Sequence, residues 1–351
     1  MSEIRRNPFS DNQNEWTILS SNRLNRPWPV RDEKILEDNL TVYDKDCAIC
    51  PGNIRQNGDI NPNYKSIFVF VNDNPVFLTT DMQEESREEN LTLNEQILFQ
   101  RKNERGVCKV VVHTPEHNKT MKDMQAKEIS KVIQAWGTDY QDLGALPYIN
   151  HVAEFETRGR ELGNSLIHSH SQIWAQEHIP PKIMSEINAQ KQSSDALGKN
   201  AMIAYLNEEM VRKERLVYAN EHFGVVVPFW ALWPYETIII PFSRISSINE
   251  LTGSETDALA KVLSILSRTY AILFERPING APYMLGIHQV PTDNNNYIDY
   301  QMHLHMVTPL MSANRLKYPA GYGEFFGLQR DVKPEESASK LRTIAENLNK
   351  D

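Results

Sequence analysis

Two stretches of the chain repeat one order of hydrophobic and polar positions. In the first, residues 108–113 (Cys-Lys-Val-Val-Val-His) form a β-branched run that reads as a strand and enters a Thr-Pro-Glu-His turn. Ile129, Val132, Ile133 and Trp136 then recur at helical spacing and predict a helix over 124–140. A strand is expected near 148–155, followed by the run Asn164-Ser-Leu-Ile-His-Ser-His-Ser-Gln-Ile-Trp-Ala175. In the second stretch, a strand over 237–240 ends at Pro241. A helix over 255–274 carries Leu259, Val262, Leu263, Leu266 and Leu273 on one side. A strand near 283–286 precedes Tyr300-Gln-Met-His-Leu-His-Met-Val307.

Both stretches run strand, proline turn, amphipathic helix, strand, His-x-His strand, which reads as an internal duplication of an α+β unit. The expected halves are residues 1–195 and 196–351, each an antiparallel sheet with packed helices. Residues 66–71 (Ser-Ile-Phe-Val-Phe-Val) add a strand, and 83–95 are a solvated charge run read as a loop. Residues 1–30 are loop-rich and basic. The segment 182–215 is polar, helix-prone and connects the halves, and 335–349 form a short amphipathic helix.

Composition narrows the chemistry. Hydrophobic residues make up 40% of the 351 positions and charged residues 24%, an ordinary globular balance. A net charge of -9 argues against a nucleic-acid partner, which favours a basic face. With 15 Gly and neither GxxxxGK[ST] nor a strand-linked GxGxxG, a glycine-rich phosphate cradle is not expected. Any phosphate must then be held largely by side chains. No apolar run approaches membrane-spanning length, and the polar start carries no secretory signal. The 3 Cys do not suggest a disulfide framework, so a cytoplasmic setting is expected.

Three clusters carry candidate chemistry. Cys47-Ala-Ile-Cys50-Pro-Gly places two thiols at a turn, within reach of one ion. Zinc takes four nitrogen or sulfur ligands, and His117 and His168 are candidates for the other two, with a redox pair as the alternative. In His168-Ser-His170-Ser-Gln172, strand alternation puts His168, His170 and Gln172 on one face. A neutral imidazole there is a competent nucleophile at phosphorus. The third cluster is His288 with His303 and His305, which with one carboxylate would suit zinc or iron.

Together these residues resemble the galactose-1-phosphate uridylyltransferase family of the histidine-triad superfamily. The likeness is carried by Asn7-Pro-Phe, Arg23-Leu-Asn-Arg-Pro-Trp28, Cys47-Ala-Ile-Cys-Pro-Gly-Asn53, Asn72-Asp73, Pro115-Glu-His-Asn-Lys-Thr120, 168–175, Pro228-Phe-Trp-Ala-Leu-Trp-Pro-Tyr-Glu-Thr237 and Gln301-Met-His-Leu-His305. The resemblance implies two histidine-triad-like halves and a ping-pong transfer between UDP-glucose and a hexose 1-phosphate. His170 matches the nucleophile, with Gln172 and Ser165 at the phosphates. Arg23 and Arg26 match phosphate-site arginines, and Asn72 and Asp73 the uridine pocket. Cys47, Cys50, His117 and His168 match zinc ligands, and Glu186, His288, His303 and His305 a second site for iron or zinc. Lys317, Tyr322 and Gln329 match residues that reach the hexose phosphate across a homodimer interface.

The chain departs from the family at His-Ser-His-Ser-Gln, where His-Pro-His-Gly-Gln is usual. Thr157 stands where an Asn is common, and Gly323 where a Glu is common. These positions bear on base and sugar identity. A nucleotide-sugar phosphorylase or a transferase of altered specificity is the alternative enzyme, and a non-catalytic nucleotide-sugar binding protein the alternative class.

Overall fold

A computed structural model describes residues 3–10, 16–19, 41–79, 92–98, 104–164, 166–317, 321–325 and 327–349. The strands are β1 (Glu3–Arg6), β2 (Trp16–Leu19), β3 (Phe68–Val71), β4 (Gly106–Val112), β5 (His151–Arg158), β6 (His170–Gln176), β7 (Leu216–Ala219), β8 (Phe223–Val226), β9 (Thr237–Pro241), β10 (Tyr283–His288), β11 (His303–Val307), β12 (Leu310–Ser312), β13 (Arg315–Leu316) and β14 (Gln329–Arg330). The helices are α1 (Leu93–Leu98), α2 (Ala126–Gly144), α3 (Pro181–Leu197), α4 (Ala201–Arg212), α5 (Gly253–Leu273), α6 (Gly321–Phe325) and α7 (Pro334–Leu348).

Among the described residues, nine strands form one sheet in the order β3-β4-β6-β5-β10-β11-β9-β8-β7. Every pairing in it is antiparallel. The expected duplication is visible in this order. The chain runs β3-β4-α2-β5-β6 in one half and β8-β9-α5-β10-β11 in the other, with β7 added at the far edge. The two half-sheets are hydrogen-bonded to each other where β5 meets β10, from Tyr283 opposite Arg158 to Gly286 opposite Phe155. The halves therefore share one continuous sheet, a junction the linear pattern does not reveal.

Helices α2, α5 and α7 cover one face. Ile129, Ile133, Trp136, Leu259, Leu263 and Leu341 bury there against Val111, Val152, Ile173, Ile239, Leu285 and Leu304. Both long helices begin with a reciprocal cap. Glu128 accepts the Gln125 N–H at 2.8 Å, and Glu255 accepts the Thr252 N–H at 2.9 Å. The opposite face carries alternate residues of the same strands and the segment between the halves. That segment, expected to be a helix-prone connection, is α3 and α4, parted at Gly198 with φ 64. Leu206 of α4 packs on β8 at Gly224, where an added Cβ would lie 2.5 Å from its Cδ1. In the expected loop over 83–95, residues 83–91 lie outside the described residues, and α1 begins at Leu93.

Candidate active site and metal centres

Cys47, Cys50, His117 and His168 are buried, and their donor atoms all lie within 4.8 Å of one another. Cys47 Sγ stands 3.8 Å from His168 Nδ1, while Cys50 Sγ stands 3.5 Å from His168 Nδ1 and 3.6 Å from His117 Nδ1. A tetrahedral zinc with bonds of about 2.3 Å to sulfur and 2.0 Å to nitrogen separates such atoms by roughly 3.5 Å. The donor set and its spacing therefore fit a tetrahedral metal. A hydrogen bond from Cys50 and the neighbouring His168 push the Cys47 thiol down, to about 3, and the same interaction pushes Cys50 up. His168 Nε2 donates to the Thr114 carbonyl at 2.7 Å, which leaves Nδ1 to face the thiols. Asn53 and Asn61 side chains fix the loop by donating to the carbonyls of Cys47 and Cys50.

Two residues beyond this cluster, His170 opens β6. Its Nδ1–H donates to the His168 carbonyl at 2.8 Å. That bond selects the tautomer whose Nε2 carries the lone pair. Burial pushes His170 below the usual histidine range, so the ring is neutral. Gln172 lies on the same face of β6. Trp174 Nε1, which can only donate, gives its hydrogen to Gln172 Oε1 at 3.0 Å. The amide oxygen is thereby occupied and the NH2 group is left to meet an acceptor. Phe77 and Phe155 hold the Trp174 ring edge-on.

The second cluster gathers Glu186 of α3 with His288 of β10 and His303 and His305 of β11, again with donor atoms within 4.8 Å. Glu186 Oε2 lies 2.8 Å from His288 Nδ1 and 3.9 Å from His303 Nε2. Burial alone would raise Glu186, but His288, His303 and His305 hold it well below the usual carboxylate range. Burial pushes His303 down to about 3 and lowers His305 as well. Three imidazoles and one carboxylate suit a divalent transition metal. A cavity of about 410 Å³ borders this cluster, lined also by Phe9, Thr157, Trp230 and Trp233.

Other expected residues fall as follows. Arg23, Arg26 and Ser165 lie outside the described residues. Asn72 bonds the Cys108 carbonyl through its backbone, and Asp73 pairs with Arg55 at 2.7 Å. Lys317 stands 4.4 Å over the Trp233 ring. Tyr322 is exposed on α6, and Gln329 donates to Asp331 at 3.2 Å. Four partners of the site were not legible in the sequence. Glu236 faces His305 Nδ1 at 3.4 Å, and Tyr300 donates to Glu186 at 3.2 Å. Arg55 lies 4.5 Å over Phe70, and Trp174 orients Gln172. Of these, Trp174, Glu236 and Tyr300 fall in runs the sequence singled out, and Arg55 does not.

The fold and site define a duplicated antiparallel-sheet protein with a tautomer-fixed histidine on one strand and two groups able to hold metal. Its relatives give the family. The N-terminal domain of galactose-1-phosphate uridyl transferase matches residues 1–180, and the C-terminal domain matches 183–350. A galactose-1-phosphate uridylyltransferase of Haemophilus influenzae is 34% identical, covering 97% of this chain and 94% of its own. One of Rattus norvegicus is 35% identical, covering 98% and 88%. The chain belongs to the galactose-1-phosphate uridylyltransferase family. A solved uridylyltransferase structure superposes with a TM-score of 0.75 at 26% identity over 99% of both chains. An Arabidopsis thaliana ADP-glucose phosphorylase with bound ADP-glucose shares the fold, with a TM-score of 0.73 at 23% identity over 97% of this chain and 98% of its own.

Proposed function

We propose that the protein transfers a uridylyl group between UDP-glucose and galactose 1-phosphate through a covalent intermediate on His170. The observation that carries this reading is the state of His170: neutral, with Nδ1–H held by the His168 carbonyl, and Nε2 without a hydrogen-bond partner among the described residues. Nε2 attacks the α-phosphorus. A P–N bond forms, the bridging P–O bond breaks, and its electron pair leaves with glucose 1-phosphate. The positive charge that develops on the ring is stabilised through Nδ1–H by the His168 carbonyl. The Gln172 NH2 donates to the phosphoryl oxygens as they gather charge. A phosphate oxygen of galactose 1-phosphate then attacks from the opposite side, the P–N bond breaks, and His170 returns to its neutral form. The leaving group is already an ionised phosphate, so no strong general acid is required.

Cys47, Cys50, His117 and His168 would hold zinc, which fixes the 43–53 loop to the start of β6. Glu186, His288, His303 and His305 would hold zinc or iron and tie α3 to β10 and β11. Lys317, Tyr322 and Gln329 would complete a second protomer's site in a homodimer. Initial rates against both substrates test the mechanism. Parallel double-reciprocal lines are expected, as is exchange of labelled glucose 1-phosphate into UDP-glucose without galactose 1-phosphate. Intersecting lines with no exchange would contradict it. Offering inorganic phosphate in place of the sugar phosphate separates transfer from phosphorolysis.

A further inference from the structure

The strand that carries His170 is held from behind. His168, His170 and Gln172 share one face of the chain, so Ser169 and Ser171 turn to the other, toward α2. There a single buried side chain meets both hydroxyls. His113, just beyond the end of β4, places Nδ1 3.0 Å from Ser169 Oγ and Nε2 3.0 Å from Ser171 Oγ. Its own backbone N–H donates to the Ser169 carbonyl at 3.0 Å. Trp136 of α2 donates from Nε1 to Ser171 Oγ at 2.9 Å. His113, Ser169, Ser171 and Trp136 are each at most 2% exposed.

We propose that His113 is a positioning residue for the transfer, a cross-tie that fixes Ser169 and Ser171 and so sets the spacing and tilt of His168, His170 and Gln172 on the opposite face. This rests on the reading of His170 as the nucleophile. Trp136 only donates, so Ser171 Oγ accepts from it. A neutral His113 donates from one ring nitrogen to one serine oxygen and accepts the other serine's hydrogen at its second nitrogen. Burial keeps His113 neutral, with the single hydrogen and single lone pair this arrangement needs. The chain thus runs from α2 through β6 to the end of β4, and each link is buried where losing a partner is costly. Ser169 sits between the metal ligand and the nucleophile, and Ser171 between the nucleophile and Gln172. A slack tie therefore displaces the reacting nitrogen relative to the group that receives charge.

The experiment compares the full-length metal-loaded protein with His113→Leu, His113→Asn and His113→Gln. It measures the single-turnover rate of nucleotidyl-enzyme formation from labelled UDP-glucose, together with KM, bound metal and Tm. Asn reproduces the Nδ1 link to Ser169 and Gln the Nε2 link to Ser171. We expect His113→Leu to slow adduct formation by about ten- to a hundredfold, the scale of a small misplacement of reacting atoms. KM for UDP-glucose should stay within about twofold because the tie touches no substrate. Asn or Gln should restore most of the rate. Should the leucine variant fail to fold, the Asn and Gln variants still carry the test, each expected to react more slowly than the parent at equal metal content. Adduct formation at the parental rate in the variants that fold, or a loss in rate that follows bound metal and Tm alone, overturns the inference. If the unmodified protein forms no adduct, the reading of His170 fails first, and the inference with it.

Discussion

β6 and β11 hold corresponding histidines in opposite halves of one sheet, and each fixes its ring in the same way. His170 Nδ1 bonds the carbonyl two residues back at 2.8 Å, and His303 Nδ1 bonds the Gln301 carbonyl at 3.0 Å. Gln172 lies opposite Phe155 on β5, as His305 lies opposite Gly286 on β10. With His170 and His303 equivalent, two positions farther along these strands make Thr157 and His288 counterparts. One half therefore presents His, Gln and Thr where the other presents His, His and His. The second half adds Glu186 from α3 and Glu236 beside His305, and Glu186 with the three histidines forms a group that could hold a metal ion. The first half offers no such carboxylate to His170 among the described residues, which leaves its Nε2 open for the nucleophilic role proposed above. The shared device sets the tautomer, and under the proposed function the neighbours decide whether the free lone pair serves a metal or attacks phosphorus.

Breaking the first half's side of this comparison has the largest expected effect. His170→Ala should cut uridylyl transfer by about 10³-fold or more while leaving both metal groups loaded, as measured by initial rates and metal analysis. Next, Cys50→Ser should lose the first metal and lower stability by about 3–5 kcal/mol, seen as metal content and chemical denaturation. Activity should fall with it, because His168 is two residues from His170. Glu186→Ala should empty the second group and lower Tm, yet keep transfer within about tenfold, since the proposed mechanism assigns that group no part in the reaction. A loss as large as that from His170→Ala would erase the distinction between the halves. Trp174→Phe removes the hydrogen bond that orients Gln172 and should lower kcat by about five- to tenfold, the scale of one hydrogen bond.

The last effect, on stability and not on transfer, lies at the seam between the halves. Burial pushes Glu156 on β5 up to about 7, while Tyr283 of β10 donates to it at 2.9 Å. A carboxyl raised in the folded chain costs stability as pH rises. The loss begins where the unfolded group ionises, near 4.5, and is complete above about 7. Glu156→Gln should therefore gain about 1–3 kcal/mol at pH 8 and nothing at pH 4, read from Tm across that range.

Much of this was legible in the sequence because it was written in periodic or clustered form. The apolar stripes of α2 and α5, the β-branched runs of β4 and β9, and the two His-x-His strands announce themselves within one window of chain. The Cys47–Cys50 pair and its histidines could be gathered by donor chemistry. What was missed depends on register between distant strands or on one buried polar residue. The β7–β8 hairpin consists of two four-residue runs around Asn220 and carries no long signal. The β5–β10 junction is a pairing of edges that no local pattern encodes. His113 read as the last residue of a strand, and Glu236 as one polar position in an aromatic run. Only the fold shows what each one faces.

The most direct test of the account is the intact mass of the protein after incubation with UDP-glucose alone. The predicted result is one added uridylyl group per chain, mapped to His170 and released on adding galactose 1-phosphate. An unchanged mass, or an adduct that persists in His170→Ala, would contradict it.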